Sequence, residues 1–132
     1  MAPSEKIWGG ANKIYTTKRD AYNKLVDSDN SNKFSRQIDA FHTAVAIGVR
    51  AGIINPTEYN ENRVELVNLY SIDPEGILWA LISSLHKEAS GDERYKKLMN
   101  YADYGIQRLS EEFDIYGNIQ SAIDAILKKK SQ

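Results

Sequence analysis

The sequence predicts a mainly α-helical fold, with about five helices and one or two short β-strands in a single compact domain spanning residues 1–132. Three observations carry that expectation. Apolar residues recur every three or four positions over most of the chain. Runs of β-branched and aromatic residues are short and few. The 42% hydrophobic and 27% charged content is that of a chain able to bury one core.

Lys13-Ile14-Tyr15-Thr16-Thr17 favours a strand, and Gly9-Gly10 before it discourages an early helix. Its partner must be distant in sequence or lie in another chain. Thr17 can cap a helix over Lys18 to Val26, with Ala21, Tyr22, Leu25 and Val26 on one face. The polar run Asp27 to Asn32 stops it as a loop. Ser35 is a candidate N-cap for the next helix, whose stripe is Phe34, Ile38, Phe41, Val45 and Val49. Ala40, Ala44 and Ala46 keep its flanks thin, and Gly52 ends it. Val64 to Tyr70 reads equally as a short strand or a buried connector.

Asp73-Pro74-Glu75 predicts a helix start, an Asp cap followed by proline in the first turn. Leu78, Leu81, Ile82, Leu85 and Ala89 follow, and Ile77 and Trp79 widen the apolar face enough to make this helix central. Gly91-Asp92 breaks the pattern and caps a helix whose stripe is Tyr95, Leu98, Ala102, Ile106, Leu109 and Phe113. After Gly117-Asn118, Ile119, Ala122, Ile123, Ile126 and Leu127 mark a last helix. The expected core is Phe34, Ile38, Phe41, Val45, Leu78, Leu81, Leu85, Leu98, Ala102, Ile106 and Leu109.

Charge divides the chain. Residues 1–55 carry eight Lys/Arg against five Asp/Glu, and residues 56–132 carry nine against thirteen. The basic part and the acidic part meet near Pro56, in the polar stretch from Asn55 to Asn62. A net charge of -1 excludes a uniformly basic nucleic-acid coat protein, though not a local basic face. The absence of cysteine excludes disulfides, thiol catalysis and Cys-ligated metal sites. No apolar run is long enough for a membrane helix and Met1 to Glu5 is no signal peptide, so the expected setting is the cytoplasm, with no membrane partner.

No catalytic residue, cofactor or metal site is expected. His42 and His86 lie in separate helices without a second ligand on the required side. Gly9-Gly10 lacks the residues of a phosphate loop, and Ser83-Ser84 beside His86 diverge on a helix. Glu111, Glu112 and Asp114 read as a solvated acidic helix end. Eight tyrosines is a high count. Tyr101 and Tyr104 form a second face of their helix, to be covered by another layer of helices or to serve as a protein-interaction surface.

The order strand, helix, polar loop, longer helix in the basic half resembles the ribbon–helix–helix DNA-binding fold. There two chains pair their strands into a ribbon that enters the major groove. On that likeness the chain is a homodimer. Lys13, Tyr15 and Thr17 face the bases, Ser35 and Arg36 hold a phosphate, and Lys18 and Arg19 lie on the same side. The alternative is that these elements simply build the core.

A second resemblance covers roughly two-thirds of the chain. Phe34-Ser35-Arg36-Gln37-Ile38-Asp39-Ala40-Phe41, continuing through Ala44, Ala46, Ile47, Gly48, Arg50 and Gly52, is similar to the signature helix of the small proteins called dnd system-associated protein 4. Tyr101-Ala102-Asp103-Tyr104-Gly105-Ile106-Gln107-Arg108-Leu109 resembles that family's Tyr-Ala-x-x-Gly-Leu-x-x-Leu run. Gly9-Gly10 is a departure, and Lys13-Ile14-Tyr15 matches the family's basic strand only loosely. The resemblance implies a non-catalytic accessory protein in a prokaryotic defence system, encoded beside the machinery for DNA phosphorothioation and its companion restriction. Two roles follow: a DNA-associated or regulatory protein, or an adaptor that joins proteins of the same system without touching DNA.

Overall fold

A computed structural model describes residues 8–52 and 63–130. The expected charge boundary at Asn55 to Asn62 lies outside the described residues. The chain is mainly helical and folds as one domain. Its described elements are β1 (Lys13–Thr16), α1 (Arg19–Leu25), α2 (Gln37–Ala51), β2 (Val64–Asn68), α3 (Leu69–Ile72), α4 (Ile77–Leu85), α5 (Gly91–Tyr116) and α6 (Ile119–Lys130). Six helices stand where about five are expected; the extra one is the single turn α3. Among the described residues no helix is long and apolar enough to cross a membrane.

The strand expected at Lys13 to Thr17 forms, and its partner lies in the same chain. β1 pairs antiparallel with β2, Lys13 opposite Asn68 and Thr16 opposite Val64, with a bulge after Ile14. The intermolecular ribbon is therefore corrected: one edge of β1 belongs to β2. Its other edge belongs to α5, where Lys13 O accepts from the Tyr95 hydroxyl at 2.6 Å and Thr17 N donates to Asp103 Oδ2 at 3.3 Å. Among the described residues, one edge is thus paired by β2 and the other lies against α5.

Several caps sit one or two residues from their expected places. α1 begins at Arg19, and Thr16 rather than Thr17 closes the turn before it, accepting from Lys18 N at 2.9 Å. The N-cap of α2 is Arg36, not Ser35, and no side chain caps it. Gly52 ends α2 with φ +67°, as its position predicts. Asp73 accepts from Leu78 N at 2.9 Å and Trp79 N at 3.0 Å. Pro74 and Glu75 form a turn and α4 starts at Ile77, because Gly76 adopts φ +75° and breaks the helical path. Ser90 opens α5 with a full capping box to Glu93, one residue before the expected break.

The long helix α5 is the spine, burying Tyr95, Leu98, Met99, Tyr101, Ala102, Ile106 and Leu109. α2 crosses it at unusually short range. A β-carbon on Gly105 would overlap the Ala44 carbonyl, and one on Gly48 would overlap that of Tyr101. Ala40 and Ala44 are fully buried at this crossing as the thin flank predicts, while Ala46 is exposed. Phe41, Val45, Leu78, Leu98, Ala102, Ile106 and Leu109 take their expected core places, and Phe34 and Ile38 pack at its margin. Leu81 is only half-buried and Leu85 is exposed. The helix expected to be central, α4, is peripheral.

Candidate binding surfaces

β1 obeys the period of a strand: Ile14 and Thr16 are buried, while Lys13 and Tyr15 on the other face are half-buried, Tyr15 packing at the margin of the core. Neither is idle there. Lys13 Nζ lies 3.2 Å from Glu65 Oε2, and the Arg63 guanidinium sits 4.6 Å from the centre of the Tyr15 ring. Thr17 turns inward, its hydroxyl donating to Asp103 Oδ2 at 2.9 Å, so it is not available to a base edge. Lys18 and Arg19 follow at the turn. They form no ion pair among the described residues, and with Thr17, Asp20, Ala21 and Gln107 they line an open hollow of about 390 Å³.

Ser35 and Arg36 do not join this group. Both are exposed, and Arg36 is bound to its own helix, Nε to Asp39 Oδ2 at 3.2 Å and Nη2 to Oδ1 at 3.0 Å. That hydrogen bond holds the guanidinium even more firmly charged than usual. Arg36 borders a different groove, of about 470 Å³, with Ile38, His42, Ile72, Glu75 and Ile77. The seven expected nucleic-acid residues thus divide into two sites, and the pairing with Asp39 reduces the charge Arg36 can offer a phosphate.

Asp103 is the residue that sequence reasoning missed. It is 3% exposed on α5 and accepts from Thr16 Oγ1 at 2.6 Å as well as from Thr17 N and Oγ1. Burial pushes its carboxyl above the usual range, although the threonine donors and the nearby Lys18 oppose the shift. Two turns earlier on the same helix, burial pushes the Tyr95 phenol up to about 12, so it remains a donor to Lys13 O. One face of α5 therefore grips β1 at both ends. The signal in the sequence was a Thr-Thr pair at a strand end and an Asp eight residues after an apolar-stripe Tyr.

Tyr101 is buried, which corrects its reading as an interaction surface: α2 lies against its backbone and its ring packs beside His86. Its hydroxyl lies 2.7 Å from His86 Nε2. Burial first, then Lys97 and Arg94, lower the His86 pKa and favour the neutral ring. Tyr104 is half-buried against the core. Arg94 braces the end of α4, donating to His86 O at 3.1 Å, Lys87 O at 2.9 Å and Ser83 Oγ at 3.1 Å, with its guanidinium over Trp79. Trp79 in turn meets the Trp8 ring edge-on at 5.0 Å. The partners of His42 and His86 are long-range ones, His42 Nε2 donating to Ile72 O at 2.7 Å. Glu112 is buried beside Arg108 rather than solvated. Among the described residues no three His, Cys, Asp or Glu are grouped to hold a metal ion.

α4 is apolar in composition yet mostly faces outward. Ile77-Leu78-Trp79-Ala80-Leu81-Ile82-Ser83-Ser84-Leu85 contains no charge, yet only Leu78 and Ile82 are buried. Ile77 is 67% and Leu85 47% exposed, and Ala80 and Ser84 are exposed between them. A helix apolar on every side is normally covered on every side. Comparison with protein-family models, with curated proteins and with solved structures gives no match.

Proposed function

We propose that the chain is a non-catalytic accessory protein that works by binding other proteins. The observation that supports this is the uncharged α4, whose outward side chains Ile77 and Leu85 are held in water at the edge of an otherwise well-packed domain. Arg94, Trp79 and the Asp73 cap hold that helix in place, so the apolar face is presented on a fixed support. The likeness to the dnd system-associated family suggests the setting: an adaptor beside the phosphorothioation and restriction machinery of a prokaryotic defence system. The test is co-expression with the proteins encoded next to it, followed by nuclease treatment and capture on the tagged chain. Retention of those proteins by the wild type and their loss with Ile77→Asp supports the adaptor. Release by nuclease alone refutes it.

A second reading has its own observation. Lys18 and Arg19 form no ion pair among the described residues and line one open hollow together. That cationic side suits the phosphate backbone of DNA, bound without a ribbon in the major groove. The salt dependence of binding to duplex DNA separates the two readings, because phosphate contacts lose affinity steeply with added salt.

A further inference from the structure

We draw no further inference here: the strongest candidate, the groove of about 470 Å³ between the start of α2 (Arg36, Ile38, His42) and the turn into α4 (Ile72, Glu75, Ile77), shares Ile77 with the outward apolar face of α4, and nothing in the structure shows what covers it.

Discussion

Gly105 on α5 lies so close to Ala44 on α2 that a β-carbon on the glycine would come 2.8 Å from the Ala44 α-carbon and overlap its carbonyl. The reciprocal contact, Gly48 against the Tyr101 carbonyl, lies one turn along each helix. The two longest-packed helices of the domain are therefore in backbone contact, with no side chain between them to yield.

Gly105→Ala should destabilise the fold by about 2–3 kcal/mol, even though alanine is the better helix former by about 1 kcal/mol. Chemical denaturation measures it. Gly117→Ala serves as the comparison, since its β-carbon meets nothing within 4 Å and only the positive φ is strained. A Gly105→Ala protein as stable as the wild type would mean that the helices are farther apart.

Asp103→Asn should cost about 1–3 kcal/mol. The amide supplies one acceptor where Thr16 Oγ1, Thr17 Oγ1 and Thr17 N donate to two carboxylate oxygens, and its NH2 group faces a donor. The effect should be largely absent in a background of Thr16→Val and Thr17→Val, so a double-mutant cycle gives the coupling directly.

The folded state holds His86 below its ordinary pKa of 6.5, mainly by burial. The unfolded chain therefore takes up the proton more readily, and stability should be lost as pH falls from about 7 through 6.5. Asp103 has the opposite sign. Its raised pKa means that the folded state takes the proton first, so its contribution favours folding at low pH and is lost as pH rises through that value. Thermal melts of wild type and His86→Gln across pH 5–8 share the Asp103 contribution, and their difference should shrink as the solution is acidified.

If DNA is bound at all, Lys18→Ala with Arg19→Ala should flatten the log–log salt slope by about one unit for each lost contact. Arg36→Ala should hardly change it, because Asp39 already occupies that guanidinium. Equal effects from the two sites would put them on one face after all.

Much of the helical framework was legible from spacing. The stripe through Phe41 and Val45 and that through Leu98, Ala102, Ile106 and Leu109 point where their periodicity places them. The thin flank of α2 was legible too, since alanines predict close approach. α4 was misread for a physical reason: its two polar residues, Ser83 and Ser84, both sit in the last turn, so Leu85 and Leu78 look alike in sequence while one is exposed and the other buried. The candidate basic site was legible only in part. Alternation along β1 places Lys13 and Tyr15 on the face opposite Ile14, but no local rule announces that a buried acid 86 residues away claims Thr17. The partner of β1 was hidden likewise, because pairing register depends on a segment, Val64 to Asn68, whose pattern fits a strand or a connector equally well.

The double grip on β1 also fixes when the domain can form during synthesis. β1 leaves the ribosome early, but the tyrosine that holds Lys13 follows 82 residues later and the aspartate that holds Thr16 follows after 87. Until α5 has emerged, the nascent chain has a strand without its second support and an α2 without the helix it crosses. Contacts so distant along the chain slow folding and leave apolar surface uncovered in the interim. A nascent chain that stops short of α5 therefore leaves β1 and the inner face of α2 uncovered, and the emergence of α5 closes both.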